Sequence, residues 1–177
     1  MRLFIAITLN DEIKNYIKSL QESIKAEGVK LTFAKESHLT LKFLGEVLDN
    51  NLNKIKNLLS DIKFKPFFVD LDNLGIFPNE NYIRVIWVGL NKKKEIIELQ
   101  QKIDKVLLAD FSKDKKFHPH ITLARVKFIE NKKEFSNKLK DIKIDKKRFK
   151  IENFKLIKST LTSNGPIYEE LAEFSSE

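Results

Sequence analysis

One tetrapeptide occurs twice in this chain. His38-Leu39-Thr40-Leu41 returns as His120-Ile121-Thr122-Leu123, 82 residues further on and close to half of the 177-residue length. Only three histidines and six threonines are present, so two matched copies at that spacing point to an internal repeat. Along a strand, residues i and i+2 share a face. His38 and Thr40 therefore project together, with Leu39 and Leu41 turned the other way into a core. His120 and Thr122 stand in the same relation to Ile121 and Leu123. A chain with this repeat is expected to fold as two similar α/β halves, each contributing one strand that carries an imidazole and a hydroxyl above an apolar floor.

The rest of the pattern supplies the elements for that arrangement. Residues 2–9 alternate as a strand, with Leu3, Ile5, Ile7 and Leu9 on one face and Arg2, Phe4, Ala6 and Thr8 on the other. Helical periodicity covers 11–27, 51–62, 92–109 and 131–140; Asn10 or Asp11 can cap the first helix and Gly28 can end it. Strands are expected near 30–34, 37–44, 66–75, 81–90, 118–128, 149–161 and 167–174. Phe77-Pro78-Asn79-Glu80 reads as one turn and Ser163-Asn164-Gly165-Pro166 as another. No Gly/Ser-rich or Pro-rich linker divides the chain, so residues 1–177 are expected to form a single bilobal domain.

Composition narrows the chemistry. Cysteine is absent, which removes disulfides, thiolate nucleophiles and iron–sulfur clusters together. It also fits a reducing compartment, so a cytoplasmic protein is expected. No stretch approaches the roughly 18 apolar residues of a spanning helix, and the apolar run Leu3 to Leu9 lacks the charged region and small-residue cleavage site of an export signal, so export is not expected. Lys plus Arg is 33 against 25 acids, a formal charge of +8. Such an excess attracts polyanions with salt-dependent affinity, although short lysine runs also read as solvated faces. Only four basic residues are arginines: Arg2, Arg84, Arg125 and Arg148.

Two His-x-Thr pairs converging in a cleft suit phosphoryl chemistry. A neutral imidazole takes a proton from water, an imidazolium protonates the departing oxygen, and threonine hydroxyls donate to non-bridging phosphate oxygens. Neither a cofactor nor a metal is needed. His118 and His120 form a His-x-His pair that can chelate, but no third ligand is evident, and His118 reads as peripheral.

The chain resembles the 2H phosphoesterases, in particular the RNA 2′,3′-cyclic phosphodiesterases historically called 2′–5′ RNA ligases. The resemblance rests on the opening strand Arg2–Ile7, on HLTLKFLG at 38–45 and on LGIFPNENYIRVIWVGL at 74–90. It continues through FHPHITLARV at 117–126 and the ending 154–171, with Ser159, Gly165 and Tyr168. It implies an α+β fold with two pseudo-symmetric lobes, each an antiparallel sheet with outer helices, facing across a central cleft. It implies His38 and His120 as catalytic residues, with Thr40 and Thr122 on the phosphate. The implied reaction is metal-independent hydrolysis of an RNA terminal 2′,3′-cyclic phosphate to a 2′-phosphate, with 2′–5′ ligation as its reverse. By analogy His38 is the acid on the leaving 3′-oxygen and His120 the base on water. The implied partner is RNA with cyclic phosphate ends, bound by a monomer without a membrane or protein partner. A non-catalytic RNA-end binder and a phosphodiesterase for small cyclic nucleotides are the alternatives.

Several residues have open roles. The resemblance places Arg125 beside the site as a phosphate contact. Strict alternation instead puts it with Ile121 and Leu123, so the strand needs a bulge after Leu123 or Arg125 must curl back from an edge. Phe4 reads either as a base-stacking platform or as packing beneath a loop. Phe43 and Trp87 read as core or hairpin packing, Lys42 as exposed or phosphate-attracting, and Ser159 and Tyr168 as closing the last hairpin.

Overall fold

The computed structural model describes residues 1–91 and 93–177. In chain order the elements are β1 (Arg2–Thr8), α1 (Asp11–Ser23), β2 (Val29–Phe33), β3 (His38–Glu46), α2 (Leu52–Ser60), β4 (Phe67–Asn79), β5 (Tyr82–Leu90), α3 (Lys93–Leu107), β6 (His120–Ile129), α4 (Lys132–Asp141), β7 (Arg148–Ile151), β8 (Asn153–Thr162) and β9 (Gly165–Ser175). The expected start of the third helix at residue 92 lies outside the described residues. The strand pairs among the described residues are all antiparallel. The order is β7-β4-β5-β6-β3-β1-β8-β9, with β2 added beside β6.

The repeat organises this order. The series β1-α1-β3-α2-β4 is matched by β5-α3-β6-α4-β8, and the two His-x-Thr strands, β3 and β6, meet in the middle. Among the described residues they share one ladder pair, Leu39 with Ile121, the residue between histidine and threonine in each copy. Beyond it β6 takes β2 as its neighbour instead. The two half-sheets are thus joined by a short seam and spread away from it. Each half's last strand crosses over: β4 pairs with β5, and β8 with β1.

One face of the sheet is covered by helices. Ile13, Ile17, Leu20 and Ile24 from the first helical segment and Ile96, Leu99, Ile103 and Leu107 from α3 pack with Leu39, Leu41, Ile121 and Leu123 in one continuous core. The apolar period of each helix explains its docking, and Asn10 accepts from the Ile13 backbone N–H at 2.9 Å to cap α1. The opposite face carries a second, small cluster: Phe4, Ala6 and Ile157, with Tyr168 against them. No helix among the described residues is long and apolar enough to cross a membrane.

Three expectations change. The strand expected at 149–161 is two strands. Burial runs on Phe149 and Ile151 but then on Phe154 and Leu156; that change of parity at Glu152 lets β7 pair with β4 while β8 pairs with β1 and β9. Phe77 and Pro78 belong to β4, not to a turn. The turn is shorter, because Asn79 Oδ1 accepts from the backbone N–H groups of Asn81 at 3.0 Å and Tyr82 at 3.1 Å. Phe43 is not core: it is 67% exposed.

Gly75 and Gly89 make room for Trp87. A Cβ on Gly75 would lie 2.2 Å from the indole, and one on Gly89 3.2 Å from it. Gly75→Ala should therefore displace the ring that floors half of the histidine-bearing face. The expected cost is about 1–3 kcal/mol of overpacking, read as a lowered midpoint in thermal or urea denaturation.

Candidate active site

Each motif strand contains one extra residue at the same place. Opposite β1, Thr40 pairs with Ala6 and Lys42 with Ile5, which leaves Leu41 unopposed. Opposite β5, Thr122 pairs with Trp87 and Ala124 with Ile86, which leaves Leu123 unopposed. These are β-bulges, each placing two consecutive side chains on the buried face. Leu41 and Lys42 are 1% and 2% exposed, and Leu123 and Ala124 are fully buried. The next residue then turns to the histidine-bearing face. The expected bulge after Leu123 is present, and Arg125 lies on the open side, where its charge acts on both His120 and Tyr168.

The same bulge corrects two readings. Phe43 holds the position in its strand that Arg125 holds in β6, so it emerges onto the cleft face, 6.2 Å from the Phe4 ring. Lys42 is turned into the interior. It donates to Asp104 and, at 2.9 Å, to the Ser112 carbonyl. It is occupied there and out of reach of a phosphate in the cleft.

The two histidines are held alike. His38 Nδ1 lies 3.0 Å from the Glu36 carbonyl, and His120 Nδ1 lies 2.7 Å from the His118 carbonyl. A carbonyl only accepts, so Nδ1 is the protonated nitrogen in both neutral rings and Nε2 carries the free lone pair. Leu39 and Ile121 share a ladder pair and so a face, and His38, Thr40, His120 and Thr122 all project from the opposite face. The two imidazoles are near enough that the His120 charge acts on His38.

Aromatic rings hold both imidazoles from below. On the first half, Phe4 lies 4.9 Å from His38, and Tyr168 stands edge-on to His38 at 5.4 Å and to Phe4 at 5.3 Å. On the second, Phe77 stands edge-on to His120 at 5.1 Å, and Trp87 lies 6.0 Å from it and 4.7 Å from His118. Phe4 is only 3% exposed, so it supports His38 and presents no open face to a base; Phe43 is the open ring beside it. Burial is the main reason the pKa values of His38 and His120 are lowered from 6.5. Each also feels a like charge: His120 acts on His38, and His118 and Arg125 act on His120. Burial raises the pKa of Tyr168, keeping its hydroxyl a donor. His118 is lowered by burial and by Lys93. Among the described residues no group of three or more His, Asp or Glu is placed to hold a metal ion.

The duplicated geometry has a counterpart in known proteins. The model of the LigT-like phosphoesterase family matches twice, at residues 7–87 and 88–168, once for each half. The chain belongs to that family. An RNA 2′,3′-cyclic phosphodiesterase of Methanocaldococcus jannaschii is 43% identical over 98% of this chain and 100% of its own length. One of Archaeoglobus fulgidus is 35% identical over 98% and 99%. The crystal structure of TT0787 from Thermus thermophilus superposes with a TM-score of 0.82 at 28% identity, covering 99% of this chain and 97% of that one. The α+β architecture with two repeated halves is thus the architecture of the LigT-like phosphoesterases.

Strand alternation puts both His-x-Thr pairs on this face, and only the family resemblance put Arg125 beside them; Tyr168, Trp87 and Phe43 read from sequence as packing or hairpin residues, and Phe77 as part of a turn. For Phe43 the signal was present. It stands five residues after His38, as Arg125 does after His120, so any bulge that brings Arg125 to the cleft brings Phe43 as well. Tyr168 joins through the pairing of β9 with β8, which no local pattern reveals.

The electrostatics give a direct test. In a proton-NMR titration both His38 and His120 should titrate below pH 6.5. Arg125→Ala should raise the His120 pKa by removing a nearby cation, and His120→Ala should raise that of His38. A downward shift in either variant would contradict the arrangement.

Proposed function

We propose that this chain hydrolyses the terminal 2′,3′-cyclic phosphate of RNA to a 2′-phosphate through proton transfer by His38 and His120. The observation that carries this reading is the matched anchoring of the two imidazoles. Each donates Nδ1–H to a carbonyl two residues earlier, leaving Nε2 of both rings for the same face. A fixed tautomer is what a ring needs to accept a proton at one atom and return it from that atom. The names of the relatives support the substrate class.

In the proposed step, water attacks phosphorus while its proton passes to His120 Nε2. The bond from phosphorus to O3′ breaks in line with the attack, and His38, entering as the imidazolium, gives its Nε2 proton to O3′. The products are a 2′-phosphate and a 3′-hydroxyl, and the two rings have exchanged protonation states, which solvent resets. Thr40 and Thr122 donate to the non-bridging oxygens, whose charge grows in the transition state. Arg125 adds a charge-assisted contact. Its charge also favours a neutral His120, which supports His120 as base; the equivalent position beside His38 holds the uncharged Phe43. Phe43 offers an open ring for stacking the terminal base. With a 5′-hydroxyl in the reverse direction, the same groups make a 2′–5′ linkage.

Burial lowers both imidazole pKa values, with the His120 charge adding to the effect on His38, so the singly protonated free enzyme is favoured on the acid side of pH 6.5. The kcat/KM profile should be bell-shaped with its maximum on the acid side of that value; a plateau rising through pH 8 would contradict the shared-proton state. A short RNA ending in 2′,3′-cyclic phosphate, incubated in EDTA, should yield a 2′-phosphate. His38→Ala and His120→Ala should each lower kcat by about 10²–10⁴-fold, as expected for loss of a general acid or base, with circular dichroism unchanged. A 3′-phosphate product would reverse the orientation proposed for the substrate. Tight binding without turnover would make the chain an RNA-end binder.

A further inference from the structure

The residues that follow each bulge reach the cleft only if the bulge is held, and each bulge is held by the helix of the other half. On α3, Asp104 is 3% exposed and receives the buried Lys42 ammonium, next to the bulged Leu41. Gln100 donates to Asp104 at 2.9 Å, and the Asp114 backbone N–H does so at 3.2 Å. Lys42 also donates to the Ser112 carbonyl. On α1, the equivalent turn carries Gln21, 8% exposed. Its Nε2 donates at 2.9 Å to the carbonyl of Leu123, the bulged residue of β6, and at 2.9 Å to that of Ala34. Leu123 O also accepts the Ala34 backbone N–H at 3.0 Å. The repeat thus solves one problem twice with different chemistry: an amide on one side and an ion pair on the other.

We infer that Gln21 is a positioning residue for the reaction, its amide holding the Leu123 bulge so that Arg125 is delivered to the phosphate. The inference rests on the reading of Arg125 as a phosphate contact. A bulge is a local departure from the ladder, and an extra residue is free to slide along the strand unless its own polar groups are fixed. Losing the bulge, or letting it move along the strand beyond Arg125, would return Arg125 to the core face, where strict alternation puts it. Gln21 fixes the carbonyl at the point of departure. It spans to Ala34, where β2 ends and the loop to His38 begins, so it ties the extra residue to a second backbone point. Gln21 has no path to substrate of its own: it lies on the helix-covered face.

The experiment is a double-mutant cycle on four proteins: the unaltered chain, Gln21→Met, Arg125→Ala and the double variant. Methionine keeps the volume and removes both donors. Kinetics are read on a dinucleotide ending in 2′,3′-cyclic phosphate, and affinity is read by titration with adenosine 2′-phosphate. Gln21→Met should lower kcat/KM about five- to twentyfold in the native background, within the range of coupled neighbours, with KM rising more than kcat falls. In the Arg125→Ala background the same change should cost less than about twofold. The affinity cycle should show the same loss of effect, and it remains readable if the chain does not turn over the dinucleotide. An equal loss in both backgrounds, or none in either, overturns the inference and leaves Gln21 as general support. An Arg125→Ala variant with native kinetics and affinity instead overturns the reading of Arg125.

Discussion

The site depends on one departure from strand geometry, made twice. In a regular strand the side chains at His38, Thr40 and Lys42 would share a face, as would His120, Thr122 and Ala124. Inserting Leu41 and Leu123 as bulges changes the parity of the two residues that follow each. Two aliphatic residues and then Lys42 or Ala124 go to the core, while Phe43 and Arg125 come to the cleft. The cleft therefore gains an aromatic ring on one side and a cation on the other without lengthening either strand. The cost is an unpaired point in each ladder, which the opposite half's helix offsets.

That exchange of helices makes the two halves one object. Among the described residues the direct seam between β3 and β6 is a single pair, Leu39 with Ile121. Such a seam alone would leave the imidazoles free to move relative to one another. The halves are locked instead by β4 and β8, which cross to pair with the other half's first strand, and by Gln21 and Asp104, which reach across to the bulges. The buried Lys42–Asp104 pair is best understood as a register device, since burying two charges is weak support for stability in itself. Rigidity of this kind suits the proposed reaction, in which the two imidazoles straddle one phosphorus atom.

The halves are alike in backbone and unlike in charge, and the difference gives the cleft a direction. His120 has Arg125 and His118 near it besides the rings of Phe77 and Trp87; His38 has Phe4 and Tyr168, with Phe43 beyond Phe4. Aromatic rings hold both imidazoles, and the permanent cation Arg125 on one side against Phe43 on the other separates two groups that the repeat would make equivalent. In a symmetric cleft either ring would serve as base. Burial lowers the pKa of both rings, and the proposed direction, with His120 as base, rests on Arg125 standing on the second half and Phe43 on the first.

The amino-acid sequence by itself determined the two-halved alternation of strands and helices, the helix stripes and the shared face of each His-x-Thr pair, and it left Arg125 two ways to the cleft, a bulge after Leu123 or a curl back from an edge. These follow from periodicity and from a repeated motif, which act over a few residues and are legible in one dimension. It did not determine that Phe43 leaves the core or that Lys42 enters it, although the repeat holds the clue in the equal spacing of Phe43 and Arg125. Nor did it reveal the ring contacts of Tyr168, Phe77 and Trp87, the split of 149–161 at Glu152, or the crossing of β4 and β8. Those were decided by tertiary structure. Which strand lies beside which, and which carbonyl a buried amide meets, depend on residues as far apart in the chain as Gln21 and Leu123. Long-range pairings of that kind leave no periodic trace in the chain.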